Sequence, residues 1–222
     1  MNINIAWLAI AAILAGFDWL AVFAGKNRWR WLTKTGMMLC LLAAYTLSGG
    51  WQISGWFGAG LILSLAGDVF LLLPSRFFLG GLAAFFLAQM TYIAALNQPA
   101  SPLLLYNFIA AAVLLMIAYA ASHRFLAALP AEKHSTTLRW AIPFYIFAIS
   151  AMVYSAITTL WNPAWQFPAN GLAVFGALFF YISDWTLANQ RFIHSTRSGR
   201  VMIMVTYHLA QFLLVVAFLL RQ

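Results

Sequence analysis

The chain has 222 residues, 64% of them hydrophobic and 7% charged, and a formal net charge of +8 from 12 Lys and Arg against 4 Asp and Glu. A soluble domain is about 45–50% apolar and about 25% charged, so this chain has too few polar side chains to coat a water-facing surface, and a disordered chain is excluded for the same reason. With a mean hydropathy of +0.88, the composition points to a polytopic membrane protein whose basic excess sits in topology-setting loops, not to a nucleic-acid binder.

Residues Met1 to Ala24 open the chain with an apolar run that no basic leader precedes; Lys26, Arg28 and Arg30 follow it. That pattern predicts a first span rather than a cleaved signal. Charges, Pro and Gly then divide the chain into eight apolar segments, predicted at about 3–25, 33–49, 52–74, 77–96, 102–121, 139–160, 168–189 and 200–221. Long unbroken blocks such as Leu103–Ala121 and Val201–Leu220 lack the alternation of a barrel strand. The expected fold is an all-α membrane protein, a bundle of eight transmembrane helices forming one domain over residues 1–222.

The connections alternate in charge. Those after spans 1, 3, 5 and 7, with their edges, hold Lys26, Arg28, Arg30, Lys34, Arg76, Arg124, Lys133, Arg139, Arg191, Arg197 and Arg200, whereas Gly49–Trp51, Asn97–Ser101 and Trp161–Phe167 hold no basic residue. By the positive-inside rule the basic loops face the cytoplasm and both termini face away from it. The expected location is the cell membrane, the inner one if the source is bacterial. Spans 3 and 7 also echo each other. Gly60, Asp68, Leu71, Arg76 and Phe77 are spaced much like Gly176, Asp184, Leu187, Arg191 and Phe192, as a 4 + 4 parallel pseudo-repeat would produce. The single cysteine, Cys40, has no partner for an internal disulfide.

Four acids are present. Glu132 is predicted in a polar loop with Lys133 and His134. Asp18, Asp68 and Asp184 fall inside spans, where a carboxylate costs on the order of 2.5–3.5 kcal/mol or more. Each precedes a basic residue by seven or eight positions (Lys26, Arg76, Arg191), which places all three about 10–12 Å inside the same boundary. His208, eight residues after Arg200 in the reverse direction, reaches that level with Tyr207 and Gln211. Lys34 stands at the rim, and Gln89 and Tyr92 share a helical face in span 4. Asp18 is expected to pair with Lys34 or a loop arginine. Gly60 and Gly176 lie near the faces of their aspartates and leave space for helix approach or substrate.

Two membrane carboxylates at one level supply an acid and a base in one site. That suits acid-catalysed lipid hydrolysis or aspartyl proteolysis, although Leu65-Ala66-Gly67 before Asp68 lacks the first glycine of a GxGD signature. A proton- or ion-coupled lipid or solute transporter is the other class compatible with these carboxylates. No HExxH, GxSxG, P-loop or dinucleotide fingerprint occurs. No metal and no cofactor is therefore assigned; His208 with two aspartates is the arrangement that a metal-dependent lipid hydrolase would need.

At the aspartates the sequence resembles a known family. The run Gly67-Asp68-Val69-Phe70-Leu71-Leu72-Leu73-Pro74, followed by Phe77 and by Gln89-Met90-Thr91-Tyr92, resembles the GD-x-x-L-x-x-P…F…H-x-x-Y stretch of the lysoplasmalogenase-like (YhhN) membrane proteins. Gly176-Ala177-Leu178-Phe179-Phe180-Tyr181-Ile182-Ser183-Asp184 is similar to that family's GA-x-x-F-x-x-SD segment. Leu32-Thr33-Lys34 and Tyr207-His208-Leu209-Ala210-Gln211 resemble its second and last spans. The chain departs from the pattern at Thr35, where a proline is usual, and at Gln89, where a histidine is usual. The resemblance implies an enzyme that hydrolyses the vinyl-ether bond of lysoplasmalogens to a fatty aldehyde and glycerophospho-ethanolamine or -choline. It implies a lysophospholipid substrate in the bilayer. Together with the carboxylate layer above, it makes Asp68 and Asp184 the expected catalytic groups and Lys34, Tyr92, His208, Tyr207 and Gln89 the expected substrate contacts, with Lys34 and the rim arginines near the phosphate; Asp18 joins the substrate-binding set by its level alone.

Overall fold

The computed structural model describes residues 3–129 and 135–221. Glu132, Lys133 and His134, assigned above to a polar loop, lie outside the described residues. Eight long helices follow in chain order: α1 (Ile5–Phe23), α2 (Asn27–Leu47), then after a four-residue turn α3 (Gly50–Ile53), α4 (Gly55–Leu72), α5 (Phe78–Leu96), α6 (Leu105–Ala127), α7 (Ser135–Thr158), α8 (Ala169–Phe192) and α9 (Arg197–Leu220). Among the described residues there is no strand. Seven of the helices are long and apolar enough to cross a membrane. The remaining long one, α2, has 21 residues and carries Arg28, Arg30 and Lys34 in its first turns, which lowers its hydropathy.

The boundaries differ from expectation where polar residues sit inside helices. Helix α2 begins six residues earlier than predicted because its arginines are part of its first turns. The predicted third span is interrupted after Ile53. Gly49 takes a left-handed conformation (φ 77°), α3 makes one turn, and extended Ser54 restarts the helix by accepting a hydrogen bond from Phe57 N–H. Tyr45 seals this corner, its hydroxyl donating to the Ser54 carbonyl at 2.7 Å.

Helices α1 and α2 pack as a hairpin, as do α4 with α5, α6 with α7, and α8 with α9; α2 joins α4, α5 joins α7, α7 joins α8, and α1 closes on α9. The buried centre is aromatic. Phe57 stacks on Phe218 with ring centroids 4.0 Å apart, and Tyr45 and Tyr92 flank it. Exposed Leu, Ile, Phe and Met side chains on α6, such as Leu105, Phe108 and Met116, give that helix a lipid-facing exterior.

The two glycines singled out by spacing serve helix approach. A Cβ on Gly60 would run into the Tyr92 ring and Thr91 of α5, and one on Gly176 would lie 3.1 Å from the Ala210 carbonyl of α9. Gly60→Ala is therefore expected to destabilise by about 1–3 kcal/mol through overpacking. Gly16→Ala, where no atom lies within 4 Å, is expected to be near neutral. Thermal unfolding in detergent measures both, and equal midpoints would refute the close-packing role of Gly60.

Candidate active site

All the intramembrane acids gather toward the end of the bundle that carries the α1–α2, α4–α5 and α8–α9 connections, the basic end. Asp68 lies one turn before the C-terminus of α4 and is fully buried. A buried carboxylate needs a counter-charge and hydrogen-bond donors. Lys34, reaching in from α2, places Nζ 2.9 Å from Asp68 Oδ1. Tyr207 of α9 donates its hydroxyl to Oδ2 at 2.8 Å, and its ring lies 5.5 Å from the Lys34 ammonium. From there a polar chain runs deeper. Gln211 donates to the Tyr207 hydroxyl at 3.4 Å and accepts from Tyr92 at 2.9 Å, and Tyr92 meets the Ser64 hydroxyl at 3.1 Å. Asp68, Tyr207 and Gln211, expected near one level, are thus joined in one network with Lys34, expected at the rim, and with Tyr92, expected to share a face with Gln89.

Asp184, on α8, has a different environment. The Tyr145 hydroxyl of α7 donates to its Oδ2, and Asp184 is partly exposed where Asp68 is not. Gln89, fully buried on α5, approaches the Tyr145 hydroxyl without completing a hydrogen bond of good geometry. Gln89 therefore belongs to the Asp184 side of the site, whereas Tyr92, one turn away on the same helix, belongs to the Asp68 side.

Asp18 forms a third group. Thr33 donates to its Oδ1 at 2.8 Å, and Arg30 Nε lies 3.6 Å from the same oxygen. The partner is Arg30; Lys34, the alternative expected from the sequence, is engaged by Asp68. His208 joins this group. Its Nδ1 accepts the Trp19 indole N–H at 3.0 Å, and its Nε2 lies 3.9 Å from Asp18 Oδ2. Among the described residues no three His, Cys, Asp or Glu side chains come together as a metal-ligand set.

Two cavities adjoin these groups. One, about 270 Å³, opens at the basic end and is lined by Arg30, Lys34, Arg191 and Arg200 together with Gln190 and Ser195. The other is a narrow slot of about 60 Å³ between α5, α6, α7 and α8. Its lining is aliphatic and aromatic except for Asp184 and the tyrosines Tyr145 and Tyr181. Sequence reasoning missed Tyr145, Thr33 as a ligand of Asp18, and Trp19. Each is an ordinary residue in an apolar or interfacial run, and no local spacing ties it to an aspartate on another helix.

The family model described as the YhhN family matches residues 29–218. The chain belongs to the YhhN family. Three curated relatives are similar to it. Lysoplasmalogenase TMEM86B of Sus scrofa is 32% identical over 179 residues, which is 80% of this chain and 68% of the relative. Lysoplasmalogenase TMEM86A of Homo sapiens is 32% identical over 161 residues, 69% of this chain and 61% of the relative. Lysoplasmalogenase TMEM86B of Homo sapiens is 29% identical over 187 residues, 82% and 72%. No solved structure matches the chain at a significant level. The matched stretch contains Lys34, Asp68, Gln89, Tyr92, Asp184, Tyr207 and His208 and leaves out Asp18.

At the two positions where the chain departs from the YhhN pattern, the local structure is intact. Thr35 returns its hydroxyl to the Trp31 carbonyl within an unbroken α2. Gln89 sits where an amide and an imidazole can both meet a phenol. Gln89→His is therefore expected to keep activity within about threefold. Gln89→Leu, which leaves Tyr145 without that polar neighbour, is expected to lower it at least about tenfold. Steady-state assays on the two variants test this, and an active Leu variant would exclude a polar role.

Proposed function

We propose that this protein is an eight-span membrane hydrolase of lysoplasmalogens, with α2 as the eighth span, the basic end in the cytoplasm and both termini on the opposite side. The reading rests on one observation above all. A buried Lys34–Asp68 ion pair and a second carboxylate, Asp184, held by the Tyr145 hydroxyl, stand at the basic end of the bundle beside two cavities that share Leu71, Phe78 and Leu187, in a chain whose relatives are named lysoplasmalogenases.

Charge balance suggests how the two aspartates divide the work. Three carboxylates, two of them fully buried, share two cations, Arg30 and Lys34. Asp18 is neutralised by Arg30 and Asp68 by Lys34, so the group is neutral when Asp184, whose contact is the uncharged Tyr145 hydroxyl, carries a proton. Asp184 is then the acid and Asp68 the carboxylate. In an enol ether, R–CH=CH–O–R′, the acid delivers its proton to the carbon distal to oxygen. The double bond is consumed in forming that C–H bond, and an oxocarbenium ion remains at the other carbon. The negative Asp68 stabilises this cation and accepts a proton from the attacking water. The hemiacetal that results collapses to the aldehyde and the glycerol alcohol, its hydroxyl proton going to the leaving oxygen, and the proton held by Asp68 passes back to Asp184, so that one water is consumed per bond cleaved and the pair is reset. Lys34 holds Asp68 in place, and Tyr207, Gln211 and Tyr92 orient it. Asp18 and His208 anchor Arg30 and α9 beside the pocket.

The test is direct. Purified protein in detergent, given a lysoplasmalogen, is expected to release a long-chain aldehyde and the corresponding glycerophospho-alcohol in equal amounts. Passage of the unaltered lipid or of another solute across liposomes, with no aldehyde formed, would overturn the reading in favour of a transporter.

A further inference from the structure

The basic mouth and the apolar slot are adjacent. Leu71, Phe78 and Leu187 line both, so these three side chains stand between mouth and slot, with Lys34 among the residues lining the mouth and Asp184 among those lining the slot. The mouth has cations to spare. Among the described residues neither Arg191 nor Arg200 forms an ion pair with a carboxylate. Arg191 lies over the Phe78 ring at 4.7 Å, and Arg200 donates to the Ser195 hydroxyl at 3.1 Å. The slot has the opposite character, with Phe85, Ala121, Phe125 and Ile142 as its walls. It exists because the two halves of the bundle close differently. Helix α1 packs on α9, while α6 leans on α7 and touches α8, leaving the space against α5 to the slot.

We propose that mouth and slot are the two ends of one site for a single-chain phospholipid. Arg191 and Arg200, with Arg30 beside them, take the phosphate, and the slot between α5, α6, α7 and α8 takes the first part of the hydrocarbon chain. This deepens the hydrolase reading and rests on it, because the orientation sets the glycerol–chain linkage between Lys34, which lines the mouth and pairs with Asp68, and Asp184, which lines the slot. Two guanidinium groups without carboxylate partners match a phosphate in charge and in fork geometry. A slot this narrow, walled by rigid rings, fits one chain and not two.

Photolabelling of the wild-type protein tests the slot without any substitution. The probe is an ester-linked lysophosphatidylethanolamine carrying a diazirine in the first half of its chain; it has no vinyl ether to cleave. Labels are expected on peptides containing Phe85, Ala121 to Phe125 and Ile142, and excess unlabelled lysolipid should displace them. Labelling confined to the outer surface of α1 and α2, or labelling that does not compete, would overturn the proposal. A second arm tests the mouth. The double variant Arg191→Gln/Arg200→Gln is expected to raise KM for the lysoplasmalogen at least about tenfold with kcat changed less than about threefold. Its labelling by a diazirine monoalkylglycerol, which has no phosphate, should match wild type. An unchanged KM would refute the phosphate assignment. If the probe enters the slot but the wild type releases no aldehyde, the hydrolase reading fails and the binding site stands. If aldehyde is released while the probe binds elsewhere, this proposal alone fails.

Discussion

Asp184→Asn and Asp68→Asn are each expected to lower aldehyde release by about 10²–10⁴-fold, the usual contribution of a positioned acid or base. Asp184→Asn is the cleaner of the two. The amide is isosteric, its oxygen can still accept from Tyr145, and no buried cation loses its partner, so the fold should be unaffected. What disappears is a proton that can be delivered to carbon, and kcat should fall far more than KM changes. Asp68→Asn removes the charge that stabilises the cation and also strips Lys34 of its counter-ion, so it should cost stability as well as rate. Size-exclusion behaviour and thermal unfolding in detergent separate the two effects. Full activity in a folded Asp184→Asn protein would remove Asp184 from the mechanism, and full activity in both variants would remove the carboxylate mechanism altogether.

Lys34→Met is expected to be the most damaging single change to stability within the site. The lysine ammonium is 2.9 Å from Asp68, and both side chains are almost completely withdrawn from the surface. Deleting one partner of such a pair typically costs about 3–5 kcal/mol because the other charge is left buried and uncompensated. The double variant Lys34→Met/Asp68→Leu removes both charges and should recover much of the lost stability, since a packed apolar pair avoids the desolvation cost. It should recover no activity. Unfolding midpoints of the two single variants and the double variant form a cycle that isolates the pair. A double variant no more stable than Lys34→Met would mean that Lys34 supports the fold through contacts other than Asp68.

Some of this was legible before any coordinates. The apolar blocks between charge clusters located the eight long helices because burial in lipid demands about 20 apolar residues wherever a chain crosses. Seven helices meet that demand on their own, and α2 falls short because its first turns carry the cations that the site uses. The depth of the aspartates was legible too. A helix rises 1.5 Å per residue, so the distance from Asp68 to Arg76 or from Asp184 to Arg191 translates directly into a level. The breaks at Gly49 and Ser54 were not, since a single extended residue inside an apolar run leaves the hydropathy pattern unchanged.

The sequence by itself determined what kind of molecule this is, a helical membrane protein, and toward which end of their helices Asp18, Asp68 and Asp184 lie, because hydropathy and helical rise are local properties. Only the tertiary structure decided who meets whom: Lys34 with Asp68 rather than Asp18, Arg30 with Asp18, Tyr145 with Asp184, His208 with Trp19 and Asp18. Those pairings depend on how each helix is rotated about its axis against its neighbours. That rotation is set by contacts such as Gly60 against Tyr92 and Gly176 against Ala210 and Leu214, between residues far apart in the chain, which no spacing along one helix encodes.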